Sequence, residues 1–337
     1  MALPDTLDSA WYDGGRIPWW TWPLAALYGA VTGLRRWMFR HGWLRSQRLP
    51  VPVIVVGNLT AGGTGKTPLT IALAAELRRR GYTPGVVSRG YGGTQREPLL
   101  LDAAPDPARV GDEPCLIRAS GTPVAVGTDR PAAARLLLAA GCDVVVADDG
   151  LQHYRLARDV EICVIDGERR FGNERLLPAG PLREPLRRLQ QVDLRVCNGG
   201  VPAPGEFPMT LRGDLAVNLL DARERPLGDF AGGRVHAVAG IGHPQRFFAS
   251  LRGAGLALIE HRFADHHRFT AEDLAFVPAL PLLMTDKDAI KCRHFAQPDW
   301  WQVPVSAQLP EEFFEQLLQR MQVHANRTSQ SAAGGRD

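Results

Sequence analysis

Along the chain, short β-branched runs alternate with stretches whose apolar positions recur every three to four residues. VPVIVVGN (51–58) is an apolar run closed by Gly and Asn, and TPLTIALAAELRRRGY (67–82) carries helical spacing. The alternation continues with PGVVSRGYGG (84–93) as strand and turn, VGDEPCLIRAS (110–120) as helix and PVAVGT (123–128) as strand. RPAAARLLLAAG (130–141) predicts a helix, and CDVVVADDG (142–150), VEICVID (160–166) and DLRVCN (193–198) predict strands. Near-continuous Val and Ile strands between helices imply a parallel sheet covered on both faces.

Past residue 200 the pattern changes. VPAPGEFP (201–208) reads as a connector and MTLRGDLAVNLLD (209–221) as an alternating strand pair. A second α/β unit follows: RVHAVAGIG (234–242), a helix in HPQRFFASLRGAG (243–255), LALIEHRF (256–263), a helix through TAEDLAF (270–276), and LPLLMTDK (280–287) as a strand. The expected architecture is α/β: a P-loop NTPase-like, mostly parallel sheet with helices on both faces, and a second, smaller α/β domain. The boundaries expected are 1–48 for an N-terminal membrane-associated helical segment, 49–205 for the core, 206–324 for the second domain and 325–337 for a disordered tail.

The N-terminal segment departs from this pattern. Ile17 to Leu34 holds no charge, has three tryptophans near its start, and runs into RRWMFRHGWLR. At 18 residues it is near the lower limit for a spanning helix. A basic start and a small-residue cleavage site are both lacking, which argues against a secretory signal. An interfacial helix fits better, with Trp at head-group depth and Arg35, Arg36, Arg40, His41 and Arg45 facing anionic lipid. The alternative is an amphipathic helix packed on the core.

Composition adds bounds. The 337 residues suffice for one large or two ordinary domains, and 45% hydrophobic with 22% charged residues is ordinary for a globular protein. A net charge of +3, from 39 basic and 36 acidic residues, gives no argument for nucleic-acid binding. Five cysteines without a C-x-x-C pair point to reduced thiols. No obligatory protein partner is expected.

The chemistry begins at VGNLTAGGTGKTP (56–68). A phosphate loop follows G-x-x-x-x-G-K-[ST], and Thr60 stands where the first glycine belongs. Gly62, Gly63 and Gly65 still permit the curl, with Thr60, Ala61 and Thr64 completing the loop. Lys66 and Thr67 fall after a strand and before a helix, as phosphate and magnesium contacts require. Asp148 and Asp149 end a buried strand, where such folds place a carboxylate beside the metal; the plainer role is a strand-capping turn. Asp112 and Glu113 of GDEP, and Asp265, His266 and His267 of ADHHRF, could handle an acceptor proton, or serve as a helix cap and a surface turn.

Rival readings lack their own signatures. Ala61 occupies the place of the second lysine of membrane-bound ATPase switches, and TDKD (285–288) sets its lysine one position late for guanine recognition. An ATP-dependent ligase would leave the Trp/Arg segment unexplained.

VGNLTAGGTGKTP, SRGYGG, VGDEP, VVVADDGLQH, LLPAGPLREPL, GIGHPQRFF, ADHHRF and TDKDAIK occur in one order between about Trp19 and Met321. In that order the sequence closely resembles the tetraacyldisaccharide 4'-kinases, the lipid A kinases of Gram-negative bacteria. The resemblance implies transfer of the γ-phosphate of ATP, with Mg2+, to the 4'-hydroxyl of a tetraacyldisaccharide 1-phosphate at the cytoplasmic face of the inner membrane. It implies Asp112 as catalytic base with His266 as partner, and Asp148 and Asp149 as the acidic pair at the metal. A substrate carrying its own phosphate makes Arg89 and Arg183 expected clamps. A membrane-recruited ATPase switch without a lipid acceptor is the second reading.

Overall fold

In a computed structural model the backbone is described for residues 5–333 and the side chains for residues 9–322. The strands are β1 Val53–Gly57, β2 Pro84–Ser88, β3 Leu99–Leu100, β4 Val124–Val126, β5 Val144–Ala147, β6 Val160–Asp166, β7 Leu194–Asn198 and β8 Phe207–Arg212, then β9 Leu215–Asn218, β10 Glu224–Pro226, β11 Arg234–Ala239, β12 Ala257–Arg262, β13 Leu282–Thr285, β14 Trp300–Val303 and β15 Ser306–Gln308. The helices are α1 Asp5–Tyr12, α2 Thr21–Arg40, α3 Lys66–Arg79, α4 Pro107–Val110, α5 Asp112–Ala119, α6 Arg130–Ala139, α7 Pro244–Gly253, α8 Asp286–Cys292 and α9 Glu311–Ala333.

Two sheets result. The first has the order β15-β8-β7-β6-β1-β5-β2-β4-β3 and the second β10-β9-β14-β13-β11-β12. The first is parallel from β8 to β4, with antiparallel edges at β3 and β15. Parallel strands buried on both faces need apolar residues at every position, and β1 shows it. Ile54 and Val56 pack with Leu69, Leu73 and Leu77 of α3, while Val53 and Val55 face Ala133, Ala134 and Leu137 of α6. Leu73 is fully buried, so truncating it to Ala should cost about 2–5 kcal/mol.

The connectivity differs from the expectation in four places. MTLRGDLAVNLLD does form two strands, but β8 joins the first sheet and β9 the second, so they are not a pair. After the second sheet the chain returns: β15 pairs with β8, and Phe313, Leu317 and Met321 of α9 enter the first core. Residues assigned to a second domain at 206–324 are thus divided between the sheets, because alternation identifies a strand but not its partner. TAEDLAF contains only a 3-10 turn at Glu272–Leu274. At the C-terminus α9 carries helical backbone through Ala333, past the start of the expected disordered tail, since neither Pro nor Gly interrupts the sequence before Gly334. The end of that tail, 334–337, lies outside the described residues.

Among the described residues, no helix is long and apolar enough to cross a membrane. The uncharged N-terminal stretch becomes α2, whose inward face is Thr21, Ala25, Tyr28, Gly29, Thr32 and Arg36 at helical spacing.

Candidate active site

The Gly-rich loop joins the end of β1 to α3. Gly62 and Gly65 have φ of +102° and +91°, a region that only glycine enters without strain. At Gly65 a Cβ would collide with the amide of Asn198, which donates to the Thr64 carbonyl at 3.0 Å. Thr60 needs no such freedom. It is 4% exposed and bridges Leu182 in antiparallel fashion, with the Ala61 amide donating to the Pro181 carbonyl at 2.7 Å. The loop therefore begins as a short strand, which accounts for a threonine where the usual pattern has glycine.

Lys66, the first residue of α3, has Nζ 3.3 Å from Asn58 Oδ1 and 3.6 Å from Asp149 Oδ1. Asp148 and Asp149 follow β5 and differ in environment. Arg183 holds Asp149 through both carboxylate oxygens at 3.1 and 3.0 Å. Burial would raise the Asp149 pKa, but Lys66, Arg183 and Arg130 outweigh it and hold the carboxyl well below its usual range. Asp148 is fully buried; Thr70 donates to its Oδ1 at 3.2 Å, and Oδ2 has no partner. Burial first, then Glu113 and Asp149, push its pKa up to about 7.

Across from the loop, α5 starts at Asp112. His266 Nδ1 lies 3.1 Å from Asp112 Oδ2, and Lys291 Nζ lies 3.7 Å from the same oxygen. Burial alone would raise the Asp112 pKa, but the His266 hydrogen bond and the Lys291 and Lys287 ammoniums bring it below its usual value. Lys291 is anchored by Asp288 at 2.8 Å, which is in turn fixed by the Gly240 amide at 2.8 Å and Thr285 Oγ1 at 2.7 Å. Lys287 bridges Glu113 and Asp265, 3.3 Å from each. Asp265 Oδ2 sits 3.8 Å from His266 Nε2 and, with the Gly63 backbone, flanks Gly242, so this dyad adjoins the loop. Two carboxylates of α5, Asp112 and Glu113, thus meet an imidazole and two ammoniums of the second unit, His266, Lys291 and Lys287, beside the Gly-rich turn.

A family profile described as Tetraacyldisaccharide-1-P 4'-kinase matches residues 17–322. The chain belongs to that family. It is similar to the tetraacyldisaccharide 4'-kinase of Stenotrophomonas maltophilia (strain R551-3), 53% identical over 322 residues covering 92% of this chain and 95% of the relative. The protein of that name from Xanthomonas campestris pv. campestris (strain 8004) is 52% identical over 341 residues, covering 95% and 96%. Among solved structures, LpxK from Aquifex aeolicus, described as an "apo" form in complex with ATP, aligns with a TM-score of 0.74 at 29% identity. That alignment covers 89% of this chain and 97% of the other.

For a tetraacyldisaccharide-1-P 4'-kinase sequence, the expected site residues fall as follows. Thr60 to Thr67 form the loop and helix start, and Asp148 and Asp149 lie beside Lys66 or Thr70. Of the adjacent histidines, His266 meets Asp112, while His267 pairs with Asp273 at 3.1 Å. Arg183 is in the site on Asp149; Arg89 is exposed beyond β2 and carries no ion pair among the described residues. Sequence reasoning assigned no role to Lys287 and Lys291, whose TDKDAIK motif served to exclude a GTPase and to carry the resemblance. It also missed Arg130, 3% exposed, whose Nε and Nη1 have no partner. Burial lowers the Arg130 pKa while Asp149 and Asp148 oppose that shift. An arginine opening the helix that follows β4, just past the Asp129 cap, was the available signal, hidden by the alanine-rich helix it starts.

Proposed function

We propose that the chain is an ATP-dependent kinase that phosphorylates the 4'-hydroxyl of a tetraacyldisaccharide 1-phosphate, forming lipid IVA in lipid A biosynthesis. The observation that carries the mechanism is the Asp112 carboxylate, 7% exposed, with His266 and Lys291 both on Oδ2. That arrangement leaves Oδ1 to receive the acceptor hydroxyl. The sugar oxygen attacks the γ-phosphorus, its proton passes to Asp112, and the bond to the ADP oxygen breaks. A carboxylate with a lowered pKa is a weak base, which suits a loose transition state where the hydroxyl proton leaves late. Asp112 chiefly orients the nucleophile, and His266 and Lys291 fix its rotamer.

The loop amides and Lys66 hold the donor phosphates, with Arg130 and Arg183 supplying guanidinium charge as it develops on the transferring group. The residues also fit Mg2+. Asp148 offers an orphaned buried oxygen, and Thr67 a hydroxyl at the second position of α3. Such an ion would take one or two protein oxygens, with phosphates and water completing its shell. When bound, the ion would offset charge on the phosphate oxygens. Asp149, already engaged by Lys66 and Arg183, orients those cations. Arg89, exposed just after β2, is assigned to the acceptor's own phosphate.

The site faces an acceptor with lipid chains, and α2 is built for that. Trp22, Leu24, Leu27, Val31, Leu34 and Trp37 are 43–61% exposed on its outer side, with Trp19 at 81% and Trp43 at 71% flanking them. Apolar residues turned outward from a folded core, beside Arg35 and Arg40, support peripheral attachment to the cytoplasmic face of the inner membrane. Closure of the second unit over the loop completes the site and excludes water.

The test is incubation with γ-labelled ATP and tetraacyldisaccharide 1-phosphate in detergent micelles. Label in the lipid is expected. Label appearing only as free phosphate would favour the ATPase switch and sink the kinase reading.

A further inference from the structure

The inner face of α2 reaches the catalytic loops directly. Tyr28 Oη donates to the carbonyl oxygen of Arg183 at 3.1 Å. Beside it, Gly29 lies so close to the same loop that a Cβ would approach Leu176 Cδ1 to 2.8 Å. Two turns further on, Arg35 donates to the Gln152 carbonyl at 3.3 Å, and the Gln152 amide donates to the Asn58 carbonyl at 3.1 Å.

The segment that Tyr28 grips is itself part of the phosphate loop's framework. The Arg183 amide donates to the Leu59 carbonyl at 2.7 Å, and the Ala61 amide to the Pro181 carbonyl at 2.7 Å, on either side of the Thr60–Leu182 bridge. From this three-residue ribbon the Arg183 guanidinium extends to Asp149 at 3.0 Å. Helix, ribbon, phosphate loop and Asp149 therefore stand in series, joined by hydrogen bonds rather than by apolar contact alone. A hydrogen bond has a fixed direction and length, so it transmits position where a greasy contact would allow sliding.

We infer that Tyr28 is a positioning residue for phosphoryl transfer: it fixes the backbone of Arg183, making the surface helix α2 a wall of the nucleotide site. The inference rests on the kinase reading above. Its consequence is that one helix carries two separable contacts, an outer side that seats on lipid and an inner side that orders the Arg183 ribbon. Tyr28 touches neither substrate and acts only through Arg183.

The experiment uses the full chain with Tyr28→Phe, which keeps the ring and removes the hydroxyl. Lipid phosphorylation in mixed micelles, flotation with acceptor-free phosphatidylglycerol vesicles, and thermal midpoint are measured in parallel. The kcat should fall about five-fold, the size expected for one lost hydrogen bond. KM for ATP, flotation and thermal midpoint should stay at wild-type values. As a second variant, Gly29→Val crowds the side chain of Leu176, which bridges Leu182 of the same ribbon, and should lower kcat with flotation retained. Wild-type kcat in Tyr28→Phe, a kcat loss that tracks a fall in thermal midpoint, or loss of flotation in Gly29→Val would each overturn the assignment. Failure of the wild-type chain to label lipid at all would instead overturn the kinase reading.

Discussion

His266 meets Asp112 across 154 residues of chain, its Nδ1 3.1 Å from a carboxylate oxygen at the start of α5. His266 stands on a left-handed backbone, φ +61°, in the turn after β12, an unusual conformation for a side chain that big. Asp112→Ala should cut turnover by about two or more orders of magnitude while ATP affinity is kept. His266→Ala should cost less, since Lys291 still fixes Asp112, and His267→Ala should leave turnover near wild type. Steady-state kinetics with separate ATP-binding measurements check all three.

Lys291→Met removes one of the cations that keep Asp112 ionised. For a carboxylate with a lowered pKa, the charged form persists to lower pH than in an ordinary aspartate. The acid limb of the pH profile of kcat/KM should therefore move to higher pH in the variant. An unmoved limb would remove Lys291 from the dyad.

Asp148→Asn should raise the Mg2+ concentration for half-maximal transfer about ten-fold or more. The stability effect has the opposite sign. A raised carboxyl pKa contributes stability that is fully present below the usual carboxylate range and lost as pH rises through about 7. Without nucleotide and metal, the Asn variant should thus melt no lower than wild type at pH 8, measured by calorimetry.

Gly65→Ala places a methyl group against Asn198 at a φ of +91°. The conformational strain alone is about 1–2 kcal/mol. ATP binding by calorimetry should weaken by at least about ten-fold, because the loop must open to relieve it.

Leu27→Glu puts a charge in the middle of the exposed apolar face of α2, where Leu27 is 61% exposed. Flotation with anionic vesicles should be lost, while the thermal midpoint in detergent-free buffer stays within a degree or so, as for other exposed sites. Retained flotation would place the lipid contact elsewhere.

The first sheet was legible because its strands are buried on both faces and so announce themselves as Val and Ile runs; the loop was legible because its glycines and Lys66 sit at a strand-to-helix junction. Partnering was not. Nothing local in MTLR or VSAQ says that β8 and β15 complete the first sheet, since an alternating strand fits either edge. Bare spacing likewise left Asp112 an ordinary helix cap; the family resemblance named it and His266. Arg130 and Lys291 escaped because a basic residue in a helix reads as solvated until burial is known.

The chain leaves the first sheet between Arg212 and Leu215 and re-enters it between Val303 and Ser306, and a Cβ on Gly213 would lie only 2.8 Å from the Pro304 carbonyl oxygen. The two crossings lie side by side, and the unit beyond them carries Asp265, His266, Lys287 and Lys291. If that unit closes as proposed, the crossings would serve as the two pins of a door, and one swing would bring the proton-handling pair to Asp112 and cover the donor phosphates over Gly63 together.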